Sequence, residues 1–273
     1  MAELAEQRAR TALRRYLPEL VEQVVVPLGQ GLDNTAFLVE DIVLRVSDGP
    51  SVVREARLLA LLAPSVSVPV PQPRFADGCL GVLAYQLLPG RPLLGESAFP
   101  GLARRLGRFL RGLHSIDQAM LGALLSRDDV HPEEWLQDLD GPEDLLAVLT
   151  ATVPPPTDQY AVVHADLGAE HLLAVGEDLT GVIDWSDAAI ADPAVDFARL
   201  YRDFGLEFLR SVVDAYGGLQ DADRTLQRVQ YYARCAALED LAYGRTTGHS
   251  QYAKAAEASI RRLFEVSELH LRA

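Results

Sequence analysis

The first part of the chain mixes helical and strand-like patterns of apolar residues. Apolar positions over 3–17 recur at helical spacing and stop at Pro18, so they predict an N-terminal helix. A second helix is predicted over 52–62, with Ser51 as its N-cap. Short runs rich in β-branched residues predict strands at 24–28, 35–40, 41–46, 74–76 and 80–87. These elements indicate a small sheet that holds one main helix.

The chain becomes mostly helical after the turn-rich segment Pro89-Gly90-Arg91-Pro92. One buried helix face is predicted by the i, i+4, i+7 spacing of Leu102, Leu106, Phe109, Leu110 and Leu113. Further helices are predicted over 142–150, 196–216, 222–245 and 250–270. The whole pattern predicts an α+β protein of two lobes, residues 1–88 and 89–273, with a break near residues 88–92. Ligand sites tend to lie in the cleft at such a joint.

The net charge of the chain indicates which classes of partner it can bind. The 273 residues carry 39 acidic and 25 basic side chains, which gives a formal net charge of −14. Such a chain repels phosphate backbones, so nucleic-acid binding is not expected, whereas a small cationic substrate would be attracted. The alternative is that the charge serves solubility alone.

Two further classes of protein do not fit the sequence. No apolar run reaches the roughly 18 residues that a membrane span needs, and the acidic N-terminus lacks the pattern of a signal peptide. The two cysteines, Cys79 and Cys235, are far apart and lie outside any metal-binding spacing. We therefore expect a cytoplasmic protein that does not act on a membrane and has neither a disulfide framework nor a structural zinc site.

The most informative segment for chemistry covers residues 163–185. Apolar, strand-like residues bracket Asp166 and Asp184, and the runs 172–175 and 179–183 between them can pair as a hairpin. Such a hairpin would bring both carboxylates to one of its ends. Two converging carboxylates suit phosphoryl transfer, because one can orient the attacking hydroxyl while the other holds a divalent cation on the phosphates. The alternative is that each aspartate only caps a turn.

An ordered set of motifs accompanies these aspartates. His164-Ala165-Asp166-Leu167 is followed by His171, by Ile183-Asp184-Trp185, and then by Asp192-Pro193 with Asp196. Upstream lie Leu113-His114-Ser115-Ile116 and Tyr85-Gln86-Leu87-Leu88-Pro89-Gly90. In this order the motifs resemble those of the aminoglycoside phosphotransferase family over nearly the whole chain. The resemblance implies a bilobal, protein-kinase-like fold, with a small N-terminal β-sheet lobe, a hinge at about 85–90 and a larger, mostly helical C-terminal lobe.

The resemblance also implies roles for individual residues of the C-terminal lobe. It makes Asp166 the catalytic aspartate and Asp184 a ligand of Mg²⁺. His171 stands where the family more commonly has a metal-ligating asparagine, so it is a candidate ligand that acts directly or through water. A histidine here is similar to the aminoglycoside 2''-phosphotransferases and macrolide phosphotransferases, members of which use GTP, so ATP or GTP is expected as phosphate donor. His164 is expected to brace the loop by hydrogen bonds.

Nucleotide contacts are expected in the N-terminal lobe, at its glycine-containing loop and at the hinge. Gly29, Gly31 and Asn34 lie between two predicted strands, where glycines let backbone amides approach phosphates closely. An ordinary hairpin turn is the alternative. Main-chain groups near Gln86 and Leu88 are expected to recognise the base.

One ion pair is expected in the same lobe. Arg45 stands where the family has a phosphate-contacting lysine, and a guanidinium can also contact phosphate. Glu55 lies at the edge of the apolar face of its predicted helix, and a carboxylate there needs a partner. We therefore expect Arg45 to pair with Glu55, the alternative being a solvated helix charge.

The acceptor is the least determined part of the prediction. Asp187, Glu239 and Asp240 are candidate acceptor-binding residues, since carboxylates bind ammonium groups well, but surface helix charges are an equal alternative. The expected function is transfer of a nucleotide γ-phosphate to a hydroxyl of an aminoglycoside antibiotic, which would give resistance by inactivation. A macrolide and a small metabolite stay open as acceptors, as does a nucleotide-binding relative without catalysis. A monomer is expected.

Overall fold

The computed structural model describes residues 2–30, 34–47, 51–137 and 139–265. The chain divides into two compact units, Met1–Pro89 and Gly90–Ala273, so the division falls one residue after the position predicted from the sequence. Within the described residues, no helix is both long enough and apolar enough to span a lipid bilayer.

The N-terminal unit is built on one antiparallel sheet with the strand order β1-β2-β3-β5-β4. Its strands are β1 (Val26–Gln30), β2 (Asn34–Val39), β3 (Ile42–Ser47), β4 (Pro73–Asp77) and β5 (Val82–Gln86). The β-branched runs therefore predicted these strands correctly, with ends displaced by at most two residues.

Two long helices cover this sheet, α1 (Ala2–Tyr16) and α2 (Ser51–Leu62). Ala9, Ala12 and Leu13 of α1 are buried in one apolar cluster with side chains of the sheet. Alanine at these positions lets the helix backbone approach the strands closely. Helix α2 packs against β4 and β5 and buries Val52, Glu55, Leu58, Leu59 and Leu62. One charged residue, Glu55, is thus part of an otherwise apolar face.

The C-terminal unit is mostly helical. Its helices are α3 (Leu102–His114), α4 (Gln118–Leu121), α5 (Glu143–Ala151), α6 (Ala194–Phe204), α7 (Leu206–Tyr216), α8 (Ala222–Thr247) and α9 (Ser250–Glu265). Every apolar residue of the predicted α3 face is buried. Helix α3 packs on α7, where a Cβ at Gly107 would come within 2.5 Å of the carbonyl oxygen of Val212. Glycine at this position therefore allows the two backbones to touch.

The prediction of one continuous helix over 196–216 is wrong, because the chain breaks at Gly205 into α6 and α7. Gly205 has φ of +82° and ψ of −178°, a conformation that is essentially restricted to glycine. The part of the last predicted helix beyond residue 265 lies outside the described residues.

Short strands of this unit support the segment that carries the candidate chemistry. β6 (Arg91–Pro92), β8 (Leu172–Val175) and β9 (Asp178–Val182) form one sheet, and β7 (Ala161–Val163) pairs with β10 (Ala189–Ala191). The predicted hairpin is present as β8 and β9. Arg91 and Pro92, expected only to interrupt the chain, pair with Ala174 and Leu173 of β8.

Candidate active site

Three of the sequence-predicted residues meet at the end of the β8–β9 hairpin. Leu172 pairs with Val182, and the backbone amide of Ile183 donates to the carbonyl oxygen of His171 at 3.0 Å. This pairing places Asp184, the next residue along the chain, beside His171. The hairpin therefore determines which side chains face each other at its end.

Asp166 and Asp184 flank the imidazole of His171 on opposite nitrogens. Nδ1 of His171 donates to the backbone carbonyl of Asp166 at 2.8 Å and lies 3.4 Å from its Oδ2. Nε2 of His171 lies 3.9 Å from Oδ2 of Asp184. Burial alone would lower the pKa of His171, but the neighbouring carboxylates of Asp166, Glu170 and Asp184 raise it. The two carboxylates thus converge on one imidazole.

His164 braces the loop from inside the core, as expected. Its fully buried ring donates from Nε2 to the carbonyl of Ile183 at 3.0 Å, and its Nδ1 accepts the backbone amide of Asp166 at 3.3 Å. Both ring nitrogens are used by a neutral imidazole, and burial lowers the pKa of His164. The ring therefore ties the loop of Asp166 to the end of β9.

Asp196, in the first turn of α6, holds the same loop by its backbone. Its fully buried carboxylate accepts the amide of His164 at 3.1 Å and the amide of Ala165 at 2.9 Å. It also accepts Nε2 of His114 at 3.1 Å, and the hydroxyl of Tyr216 lies 3.2 Å from the other ring nitrogen of His114. The two distant motifs that contain His114 and Asp196 therefore meet beneath the loop.

Two arginines of α6, which belong to none of the sequence motifs, also approach the site. Nε of Arg199 lies 3.4 Å from Oδ1 of Asp166, and its Nη2 lies 3.6 Å from Oε2 of Glu239 on α8. The available signal was their i, i+3 spacing within the predicted helix. It identifies a shared helix face, but not the partners of the two residues.

The second arginine, Arg202, is surrounded by three carboxylates. Its Nη2 donates to both oxygens of Glu170 at 3.1 Å, its Nε donates to Asp203 at 2.7 Å, and its Nη1 lies 2.7 Å from Asp240. A Cβ at Gly168 would clash with the Glu170 carboxylate and the Arg202 guanidinium. Glycine in the loop therefore makes room for this buried cluster.

These charges decide the ionisation of Asp166. Burial raises the pKa of this carboxyl group, but the positive charges of Arg199, His171 and Arg202 outweigh burial and lower the pKa to about 2. Asp166 is therefore a carboxylate at neutral pH and a weak base. About a quarter of its side chain, 27%, is exposed to solvent.

The candidate acceptor-binding acids differ in their surroundings. Asp187 is exposed, and the surrounding protein together with the charges of Asp166 and Asp184 raises its pKa. Glu239 is 43% exposed and faces Arg199. Asp240 is 21% exposed and paired with Arg202; burial raises its pKa to about 7 despite the attraction of that arginine. Asp187 and Glu239 are thus the acids with the larger exposed surface.

Carboxylate oxygens that could hold a cation also surround His171. Donor atoms of Asp166, Glu170 and His171 all lie within 4.8 Å of one another. Both oxygens of Glu170 accept hydrogen bonds from Arg202, so its charge is already balanced. Asp184 accepts the hydroxyl of Ser186 on Oδ1 at 2.9 Å, while its Oδ2 faces His171. The oxygens of Asp184 are hard donors of the kind that Mg²⁺ prefers.

In the N-terminal unit the predicted ion pair is present. The guanidinium of Arg45 on β3 donates to Glu55 on α2, and both side chains are buried. Gly29 lies at the irregularity in the β1–β2 pairing, and open space surrounds its Cα where a Cβ would stand. Asn34 begins β2 and pairs with Ser47; Gly31 lies outside the described residues.

The predicted hinge follows directly from β5. The register of β4 with β5 ends at the pair Pro73–Tyr85, so the exposed Gln86 extends past β4. The side chain of Gln86 donates to Asp41 at 3.3 Å, and the amide of Leu87 donates to the carbonyl of Asp41 at 2.7 Å. Leu88, which follows, is half-buried.

Comparison with known proteins identifies the family of the chain. A model of the phosphotransferase enzyme family matches residues 24–238. A viomycin phosphotransferase from Streptomyces vinaceus is 28% identical, and the match covers 71% of this chain and 76% of that protein.

Solved structures share the fold. An APH(2")-type enzyme in complex with GDP and kanamycin superposes with a TM-score of 0.77 at 22% identity, over 94% of this chain and 98% of the other. A macrolide 2'-phosphotransferase from Brachybacterium faecium gives a TM-score of 0.66 at 23% identity, over 93% and 97% of the two chains. The expected kinase-like α+β fold is therefore confirmed.

Proposed function

Because this chain belongs to the phosphotransferase enzyme family, we propose that it transfers the γ-phosphoryl group of ATP or GTP to a hydroxyl of a small cationic antibiotic. The observation that carries the proposal is the convergence of Asp166 and Asp184 on His171 at the end of one hairpin. Such a pair of carboxylates can serve the hydroxyl and the metal of one phosphoryl transfer.

Asp166 orients the acceptor hydroxyl in this proposal. A carboxylate with a pKa of about 2 accepts a proton weakly, so its main contribution is a hydrogen bond that aims the hydroxyl oxygen at the γ-phosphorus. This is sufficient, because the transition state of phosphoryl transfer is loose and little bond formation precedes leaving-group departure. The amide of Asp166 donates to His164, and the amide of Ala165 donates to Asp196. These hydrogen bonds fix the backbone that carries the Asp166 carboxylate.

Asp184 and His171 would hold Mg²⁺. The carboxylate of Asp184 is a hard ligand that suits this ion, and Nε2 of His171 faces the same carboxylate. His171 contributes a nitrogen to the ion only as the neutral imidazole; its Nδ1–H bond to the Asp166 carbonyl fixes the tautomer that exposes Nε2. The ion, when bound, neutralises charge on the phosphate oxygens.

Residues 1–88 would form the nucleotide-binding lobe. Gly29 in β1, Gly31 and Asn34 at the start of β2 would offer backbone amides to the phosphates. Arg45, held by its ion pair with Glu55, would contact a phosphate through its guanidinium.

The hinge at about 85–90 would complete the nucleotide site, with main-chain groups of Gln86 and Leu88 recognising the base. Residues 89–273 would carry the catalytic loop and the acceptor site. This division agrees with the boundary of the two compact units.

Aminoglycosides are the favoured acceptors, since Asp187 and Glu239 present carboxylates beside the reacting residues. Asp240, which is paired with Arg202, would act on the acceptor through that pair. A macrolide is the second candidate, supported by the superposition on a macrolide enzyme, although the acidic site favours an acceptor with more ammonium groups. Viomycin belongs among the acceptors to test because of the curated relative. A small metabolite is the third candidate acceptor.

Nucleotide consumption by the purified protein tests the proposal. ATP and GTP are supplied separately with Mg²⁺, and the acceptors are kanamycin, gentamicin, viomycin, erythromycin or none. Asp166→Asn is the blank, because it removes the carboxylate and keeps the shape of the side chain. We expect turnover that depends on one antibiotic and on Mg²⁺. Nucleotide binding without turnover across the panel would contradict an antibiotic acceptor and favour a metabolite kinase or a non-catalytic relative.

A further inference from the structure

Helix α8 is connected to the catalytic loop by two parallel ion-pair bridges through α6. Glu239 faces Arg199, which reaches Asp166, and the adjacent Asp240 pairs with Arg202, which reaches Glu170. Neighbouring acids on one helix therefore hold arginines that lie one turn apart on another. The two bridges end at different places, one at a reacting residue and the other beneath the loop.

The bridge through Arg199 acts directly on the carboxylate of Asp166. Oδ1 of Asp166 lies 3.4 Å from Nε of Arg199, and Oδ2 lies 3.4 Å from Nδ1 of His171. A positive or polar group thus stands at each oxygen, and rotation of the carboxylate about χ2 would lose both contacts. The orientation of the hydroxyl in phosphoryl transfer depends on this angle.

The surroundings of Arg199 keep its position defined. Only 14% of its side chain is exposed, so its charge is screened less by solvent than that of a surface arginine. Glu239 lies 3.6 Å from Nη2, a different nitrogen of the guanidinium from the Nε that faces Asp166. The planar fork can satisfy both carboxylates at once, which a lysine ammonium cannot do in the same geometry.

We propose that Arg199 is a positioning residue that holds the Asp166 carboxylate in the orientation needed for the acceptor hydroxyl, with Glu239 keeping the guanidinium in place. This inference rests on the proposed function, in which the Asp166 carboxylate orients the acceptor hydroxyl. Arg202, whose contacts are buried beneath the loop, has a structural role by comparison.

Steady-state kinetics of Arg199→Gln and Arg199→Lys test the catalytic part of the proposal. Glutamine should lower kcat roughly ten- to hundred-fold, because a misplaced group costs rate even when it is still present. The KM for nucleotide should stay within about two-fold of wild type, because the ion pairs of Arg199 are with Asp166 and Glu239. Lysine retains the charge and lacks the fork, so its kcat should lie between those of wild type and Arg199→Gln.

Arg228→Gln is the matched control. Arg228 is a buried arginine that donates to Asp192 at 2.6 Å, and Asp166 is not among its contacts. The Arg228→Gln variant should lose at least as much stability as Arg199→Gln. Its kcat, assayed below its melting temperature, should stay within about two-fold of wild type. An unchanged kcat in Arg199→Gln, or an equal loss in Arg228→Gln, would overturn the positioning role.

NMR of the arginine Nε–Hε group tests the contact without any turnover. The Arg199 resonance is assigned by its absence in Arg199→Lys. Asp166→Asn should shift this resonance, whereas Glu239→Gln should shift it less, because Glu239 faces Nη2. No shift in Asp166→Asn would overturn the proposal. If the wild type lacks turnover with every acceptor, the proposed function fails, and the resonance still decides whether Arg199 holds Asp166.

Discussion

Asp196 accepts a hydrogen bond from the backbone amide of Ala165 at 2.9 Å, although the two residues are 31 positions apart. Ala165 has φ of +70°, in the left-handed region that residues with a Cβ rarely adopt. The bond therefore helps to keep a strained residue immediately before Asp166. Asp184, on the other side of His171, also has a positive φ of +59°. Both carboxylates of the site are thus aimed by unusual backbone conformations.

Asp196→Asn should lower both stability and activity. The amide NH₂ cannot accept, so one of the buried donors of His164, Ala165 or His114 loses its partner, at a cost of about 1–3 kcal/mol. Urea unfolding measures this loss, and kcat should fall with it because the loop loses a brace. Asp178→Asn is the control, since Asp178 is exposed and its pair with Arg105 contributes little. Equal stability of the two variants would contradict the bracing role of Asp196.

Substitution of Ala165 tests the strain directly. Glycine adopts a positive φ at no steric cost, so Ala165→Gly should keep or raise the free energy of unfolding. Ala165→Val should lower it by about 1–3 kcal/mol, because a β-branched residue is strained in this region. Both variants are compared with wild type by urea unfolding. A loss of stability in Ala165→Gly as large as that in Ala165→Val would show that the conformation is not strained.

Variants of the Arg45–Glu55 pair distinguish its contribution to stability from its contribution to nucleotide binding. Glu55→Gln should cost about 3–5 kcal/mol, because it leaves a buried guanidinium without its charge partner. The double variant Arg45→Met with Glu55→Leu should recover most of that stability, since apolar residues of similar volume replace both charges. It should still bind nucleotide at least roughly ten-fold more weakly, because the phosphate contact is gone. Wild-type affinity in the double variant, measured by nucleotide titration, would contradict the role of Arg45.

Because the pKa of the Asp240 carboxyl group is raised, we expect the stability of the protein to depend on pH. Burial, with Glu170 and Asp203 nearby, raises its pKa to about 7 from 3.8, although Arg202 and Arg199 oppose the rise. Between these two values the folded protein keeps a proton that the unfolded chain has released. This contribution to stability is therefore complete below about pH 4 and is lost as the pH rises through about 7.

Urea unfolding at a series of pH values measures this contribution. The wild type should lose stability between pH 5 and pH 8 relative to Asp240→Asn, which carries no titrating group at this position. Parallel curves for the two proteins would show that Asp240 is ionised throughout this range.

Local patterns predicted much of this fold because they depend on neighbours in the sequence. The face of α3 follows helical spacing, and the hairpin that joins Asp166 to Asp184 follows from two apolar runs around a turn. The position of Glu55 at the edge of an apolar face predicted that it needs a partner, and the family resemblance indicated Arg45 as that partner. For the helix face and the hairpin, the signal lies within a few residues.

Other features depend on partners that are remote in the sequence. The break at Gly205 was missed, since a lone glycine in a helical pattern is usually tolerated. The ion pairs of Arg199 with Glu239 and of Arg202 with Asp240 form only when α8 packs on α6. The positive φ of Ala165 has no local signature, because the hydrogen bond that sustains it comes from α6.

Mass spectrometry of the acceptor shows whether the protein transfers a phosphoryl group to an antibiotic. The protein is incubated with Mg²⁺, an antibiotic that stimulates nucleotide consumption, and ATP or GTP labelled with ¹⁸O on the γ-phosphate. Asp166→Asn serves as the blank. We expect one labelled phosphoryl group on the acceptor with wild type and a yield lower by orders of magnitude with Asp166→Asn. Labelled inorganic phosphate with an unmodified acceptor, or an equal yield from both proteins, would contradict this expectation.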